Sequence, residues 1–121
     1  METLNAITAL TALGHATRLA AFRLLVEAGP AGRMAGDIAT ALQVPPATLS
    51  FHLKELVQAG LVESESQGRH VCYRANFDAM SALIEFLTRN CCGGDAARCA
   101  PSAKQAAPRT SKPAGKTAVR A

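Results

Sequence analysis

Along residues 1–92 the apolar positions recur mostly at helical spacing and switch to strand-like alternation only once. Leu4, Ile7, Leu10 and Leu13 fall on one face of a first helix, ended near Gly14. A second helix is predicted from about Ala16 to Ala28, with Leu19, Phe22, Leu25 and Val26 inward and Gly29-Pro30 as its stop. A short third helix fits Ala35–Leu42, where Ile38 and Leu42 stand four residues apart. Val44-Pro45-Pro46 makes a tight connection, and a proline suits the first turn of the helix that follows. That helix is predicted over about Ala47–Ala59, with Gly60 just past its end. The alternation then begins: Leu61–Ser66 and His70–Ala75 flank Gln67-Gly68-Arg69 and predict a β-hairpin. A last helix runs from about Phe77 to Cys91 or Cys92, with Met80, Leu83, Ile84 and Leu87 as its stripe and Gly93-Gly94 as its end. No internal repeat is visible.

This order predicts a mainly α fold with a small β-hairpin: four helices, two strands and a final helix, the order of a winged helix-turn-helix. The third and fourth helices form the helix-turn-helix, and the fourth would enter the major groove of DNA. On its wheel Leu49, Leu53 and Leu56 form the buried stripe, with His52 at the margin. Ala47, Thr48, Ser50, Phe51 and Lys54 lie opposite. Thr48 and Ser50 can bond base edges or phosphates, Lys54 suits a phosphate, and an outward Phe51 can meet a thymine methyl. Arg69 at the hairpin tip can reach a phosphate or a minor groove. The plainer reading is a small helical domain whose polar face is merely solvated.

Net charge does not decide between these readings. The chain of 121 residues has a sequence pI near 9.2, but five of its thirteen Lys and Arg lie in residues 104–121. Eight basic residues then face nine acidic ones over residues 1–103, a net charge of −1. The length allows one small domain, and 49% hydrophobic residues suffice for a core. Residues 100–121 are rich in Ala, Pro, Ser, Thr and basic residues without an aromatic, which predicts a disordered basic tail. The start, Met1-Glu2-Thr3, lacks a signal peptide's basic region. No apolar run approaches the roughly 20 residues of a membrane span. A cytoplasmic location without a membrane partner is therefore expected. There, four cysteines read as thiols or metal ligands before structural disulfides.

The run Leu49-Ser50-Phe51-His52-Leu53-Lys54-Glu55-Leu56-Val57-Gln58-Ala59-Gly60-Leu61-Val62, followed by Gly68-Arg69 and Tyr73-Arg74, resembles the ArsR/SmtB family of metal-responsive repressors. Leu13-Gly14-His15-Ala16-Thr17-Arg18-Leu19 with Phe22-Arg23-Leu24-Leu25 is similar to that family's second-helix signature. The resemblance covers about residues 4–92 and implies a homodimer of winged helices that binds a palindromic operator and leaves it when its inducer binds. It also implies a dimer interface built from the first and last helices, here Leu4, Ile7, Met80, Leu83, Ile84 and Leu87.

The family places its ligands in several elements. Met34-Ala35-Gly36-Asp37-Ile38-Ala39 has no cysteine, so the arsenic site of the third helix is absent. The last helix offers Asp78 and Glu85 but no histidine, which argues against the family's zinc site there. What fits is the trio Cys91, Cys92 and Cys99, within Cys91-Cys92-Gly93-Gly94-Asp95-Ala96-Ala97-Arg98-Cys99. It resembles an arsenite-responsive branch with a cysteine pair at the end of the last helix and a third cysteine a few residues later. Arsenic(III) is soft and three-coordinate, so three thiolates complete it. Adjacent helical positions point roughly 100° apart, so the helix must loosen at Cys92 for both sulfurs to face one ion.

Zinc competes less well, because structural sites usually take four ligands. A disulfide from Cys99 to Cys91 or Cys92 would make a redox switch instead. Methylated arsenic(III) needs only Cys91 and Cys92, and incidental cysteines are the plainest reading. Cys72, alone in a strand, reads as a packing residue. His15, His52 and His70 lie in separate elements and read as structural or DNA-proximal.

The expectation is a metalloid-responsive repressor with three parts. Residues 1–92 form the DNA-binding and dimerisation domain, 93–99 the inducer loop, and 100–121 the tail. As(III) or Sb(III) is the inducer, without an organic cofactor. No Cys-His-acid grouping suggests an enzyme. A methylarsenite-selective or thiol-redox-sensing repressor on the same fold is the second reading.

Overall fold

The computed structural model describes residues 1–94. The chain divides into two units, Met1–Leu87 and a second that begins at Thr88 and is described as far as Gly94. The expected tail and Cys99 lie outside the described residues.

The elements are α1 (Thr3–Leu13), α2 (Ala16–Ala28), a 3₁₀ turn (Gly29–Ala31), β1 (Arg33–Met34), α3 (Ala35–Leu42), α4 (Pro46–Gln58), β2 (Val62–Gln67), β3 (His70–Ala75) and α5 (Phe77–Thr88). The expected winged helix-turn-helix is present. Helix α3 has the expected bounds, and α4 begins one residue early because Pro46 occupies its first turn. Among the described residues no helix is long and apolar enough to cross a membrane.

Two features depart from the expected pattern. The hairpin is a three-stranded antiparallel sheet in the order β1-β3-β2, with Arg33 opposite Tyr73 and Met34 opposite Cys72. A two-residue strand is too short to show alternation, which hides it from sequence periodicity. Helix α5 stops at Thr88, short of Cys91, because Asn90 takes a left-handed conformation with φ 58°. Such a residue ends a helix much as a C-terminal glycine does.

Gly32 permits the β1 pairing. Its φ is +71°, and a Cβ there would collide with the backbone carbonyl oxygen of Tyr73. Both the backbone conformation and the space exclude a side chain. Gly32→Ala is expected to lower the unfolding free energy by roughly 1–3 kcal/mol, measured by urea denaturation. An unchanged midpoint would show that β1 can move away from β3 without cost.

The core joins all the helices of the first unit to the sheet. Leu25, Ile38, Leu49, Leu53, Leu56 and Leu61 are its largest fully buried side chains. Three of these belong to α4, which therefore sits on the core by one face. Helix α1 buries Ala6, Ala9 and Ala12, whereas Leu4, Ile7 and Leu10 are exposed. Small side chains let helices approach closely, so the alanine face packs inward and the leucine face is left outward. Leu19 is likewise exposed, contrary to the inward position expected of it, while Phe22 and Leu25 are buried as expected. Cys72 is buried, and its Sγ lies 3.6 Å from the Ala31 carbonyl oxygen.

Candidate nucleic-acid interface and cysteine pair

The turn between α3 and α4 fixes where α4 starts. Gln43 adopts a left-handed conformation, its N–H donates to the Thr40 carbonyl, and that of Val44 donates to Ala39. Beyond this turn α4 buries Leu49, Leu53 and Leu56 and exposes Ala47, Thr48, Ser50, Phe51 and Lys54. The exposed set is the one expected to face DNA. Phe51 keeps 57% of its surface accessible, a large apolar ring on an otherwise polar face. At the other end of α4, Asn76 donates from its side-chain amide to the Gly60 carbonyl, and its Oδ1 accepts the Ala79 N–H in the first turn of α5.

His52 stands apart from that exposed face. It is only 8% accessible, not marginal, so it cannot read DNA directly. Its Nδ1 lies 3.2 Å from Nη1 of Arg18, and its ring centroid lies 4.4 Å from that of His15. Phe51 meets the His52 ring edge-on at 5.4 Å. Arg18 also donates from Nε to the Ala12 carbonyl at 2.7 Å, near the C-terminus of α1. His15 caps α2, its Nδ1 accepting the Thr17 N–H at 3.1 Å. Arg18 thus joins three helices. Burial, then the nearby charges of His15 and Arg18, hold His52 below the usual histidine range, with Glu55 opposing.

The wing tip is the tight turn Gly68-Arg69 between paired Gln67 and His70, with Gly68 at φ 67°. Arg69 is exposed there, as expected. Behind it Arg74 bonds the Glu65 carboxylate at 2.8 Å and the Pro30 carbonyl at 3.3 Å. That hydrogen bond and the guanidinium charge draw Glu65 below the usual carboxylate range. Among the described residues of the wing, Arg74 therefore neutralises one of the two β2 carboxylates, and Arg69 is left to face outward.

In the second unit, Cys91–Gly94 forms a 3₁₀ turn in which Cys92 and Gly93 have positive φ. The Gly94 N–H closes it onto the Asn90 carbonyl at 3.2 Å. This local reversal brings Cys91 Sγ and Cys92 Sγ to 3.4 Å. Two sulfurs each about 2.3 Å from a shared ion stand no more than about 4.6 Å apart, so the pair fits one soft ion. Cys92 is disulfide-bonded in this structure. No group of three metal-ligating side chains occurs among the described residues, and the expected third thiol, Cys99, lies outside them.

Residues 13–65 match the family model of a helix-turn-helix domain. An ArsR-like transcriptional regulator from Rhodococcus sp. RHA1 is 32% identical to this chain, covers 86% of it and 93% of its own length, and superposes with a TM-score of 0.61. The chain belongs to the ArsR family.

A homodimeric winged helix-turn-helix DNA-binding domain from Mycobacterium bovis, described as a possible ArsR-family transcriptional regulator, is 28% identical. It covers 71% of this chain and 80% of its own, with a TM-score of 0.58. YdfF of Bacillus subtilis, an uncharacterized HTH-type transcriptional regulator, is 41% identical over 54 residues. That match takes in 44% of this chain and only 24% of YdfF, so the chain spans about a quarter of that relative's length.

Within the ArsR fold the six positions expected at a dimer interface divide. Leu4, Ile7, Ile84 and Leu87 are exposed, Met80 is half-buried, and Leu83 is buried in the chain's own core. Leu83 therefore supports the α5 face from beneath. Sequence reasoning placed Arg18 and His15 in the second-helix signature and read His15 as structural or DNA-proximal, but paired neither with His52. An arginine in an apolar helix, together with a histidine at the margin of another, signals a buried polar contact. The separation of 34 residues between Arg18 and His52 concealed the pairing.

Proposed function

We propose that this ArsR-family chain is a homodimeric repressor, released from operator DNA when arsenite or antimonite binds the thiolates of Cys91, Cys92 and Cys99. The observation that carries the metalloid part is the 3.4 Å approach of two adjacent sulfurs in a turn three residues beyond α5, with a third cysteine following in sequence. The DNA part rests on the exposed Thr48, Ser50, Phe51 and Lys54 of α4, supported by Arg69 of the wing. The homodimeric Mycobacterium bovis domain and the exposed apolar residues of α1 and α5 support the assembly. In a dimer the two α4 helices would meet half-sites about 34 Å apart.

The direction of the response follows from linkage. The ion weakens DNA binding only insofar as it binds the DNA-free form more tightly. Operator binding by fluorescence anisotropy, with and without arsenite under reductant, tests the reading. Lys54→Ala is expected to weaken binding similarly across sequences and to reduce the salt dependence by about one phosphate contact per subunit, about two per dimer. An unchanged salt slope would remove Lys54 from the phosphate backbone.

The disulfide at Cys92 favours a second reading, a thiol-redox switch on the same fold. It requires that an oxidant alone release DNA and that a reductant restore binding.

A further inference from the structure

Beside its buried leucines in the core, helix α4 meets α2 through a polar contact that tolerates only a neutral imidazole. A guanidinium has no acceptor, so the His52 Nδ1 facing Arg18 Nη1 at 3.2 Å must present its lone pair. Its proton then sits on Nε2. Adding a second proton places N–H against N–H and a cation beside a cation, on a side chain that is 8% accessible. Arg18 cannot turn aside cheaply, because its Nε is engaged with the Ala12 carbonyl at 2.7 Å. The His15 ring, fixed by its hydrogen bond from the Thr17 N–H, stands against the same imidazole at 4.4 Å.

We propose that His52 is a positioning residue, neutral when α4 is seated, and that its protonation detaches the α4 helix from α2 and weakens the grip on DNA. The DNA consequence rests on the operator-binding reading above; the loosening of α4 does not. His52 holds Phe51, its neighbour on the exposed face, edge-on, so displacement of the imidazole displaces a ring of the reading surface.

The charges around His52 support this direction. His15 and Arg18 come from α2 and Glu55 from α4 itself, and Glu55 alone favours the imidazolium. Helix α1 carries no charged side chain. Asp37 of α3 and Glu63 and Glu65 of β2 do not figure among the charges acting on the ring. With its affinity for protons lowered on folding, His52 keeps its full share of stability above histidine's ordinary 6.5. That share is lost as pH falls from there through the lowered folded value.

Plain electrostatics predicts the opposite result, because a new cation near DNA strengthens phosphate attraction. Operator affinity is therefore measured by anisotropy from about pH 8 to about pH 5.5 at constant salt, for the native protein and His52→Asn. Circular dichroism over the same range confirms that both are folded. Asparagine keeps an acceptor for Arg18 but does not titrate. The native affinity is expected to fall on the order of tenfold, within the usual range of an allosteric coupling. The ratio between the two pH values should approach one in His52→Asn, whatever its absolute affinity. A native affinity that rises or stays flat overturns the proposal, as does a variant that falls like the native protein.

A second measurement, without DNA, follows the imidazole and the α4 amide resonances of the native protein by NMR. Movement of the α4 amides with the His52 titration supports the switch, and α4 amides indifferent to it overturn the switch. If neither protein binds DNA at about pH 8, the operator-binding reading fails and this titration decides the switch alone.

Discussion

Arsenite under reducing conditions is expected to lift the native protein from operator DNA with a loss of affinity of roughly 5–150-fold, the usual range of an allosteric coupling. Cys99→Ser should remain bound. The expectation follows from coordination chemistry. Two neighbouring sulfurs 3.4 Å apart can share an ion, but inorganic arsenic(III) takes three thiolates. Losing the third leaves a dithiol suited to methylated arsenic(III), which ought still to release the variant. Reductant is essential, because Cys92 is disulfide-bonded in this structure and a sulfur so engaged is not a thiolate. Equal arsenite release in both proteins would demote Cys99 and favour a two-thiol site. Release by oxidant alone would favour the redox reading. If neither protein responded to arsenite, the metalloid reading would be wrong.

The largest effect on stability is expected at Leu53. This side chain is fully buried on the inner face of α4, in the core cluster that also holds Leu25, Ile38, Leu49 and Leu56. Truncation to alanine removes apolar contact and leaves a cavity that the surrounding helices fill only in part, at a cost of about 2–5 kcal/mol. Against a total of about 5–15 kcal/mol for a domain, that is enough to lower the urea midpoint sharply or to prevent folding. Leu19→Ala is the matched control. Its 45% exposure in the structure predicts a change within about 0.5 kcal/mol, although its helical position suggests an inward side chain. Comparable losses in the two variants would mean that the Leu19 face is covered in the folded protein, as a dimer or ligand contact would cover it. A loss at Leu53 well under 1 kcal/mol would contradict the packing of α4 on the core.

How far the sequence was legible varied with the range of the interaction involved. Helix α3 was readable because Ile38 and Leu42 repeat at helical spacing, and the structure gives it the same bounds. The outward face of α4 was readable for the same reason, since Leu49, Leu53 and Leu56 leave only one side for Thr48, Ser50, Phe51 and Lys54. The end of α5 was misread by a few residues, because Asn90 interrupts the helix before the glycine pair does. Strand β1 was missed because two residues cannot display a period, and Gly32 declares its purpose only when the Tyr73 carbonyl is seen beside it.

The sequence by itself determined the order of the five helices and the β2–β3 hairpin, the polar outer face of α4 and the spacing of Cys91, Cys92 and Cys99 along the chain. Each is written in spacing between near neighbours, which backbone geometry converts directly into a face or a turn. Only the tertiary structure decided that α1 turns its alanines inward and its leucines outward, that β1 completes the sheet, and that His52 is buried against Arg18 and His15. Those outcomes depend on which surfaces meet across long stretches of chain. Helical periodicity shows that a face is apolar, but it does not say which partner covers it.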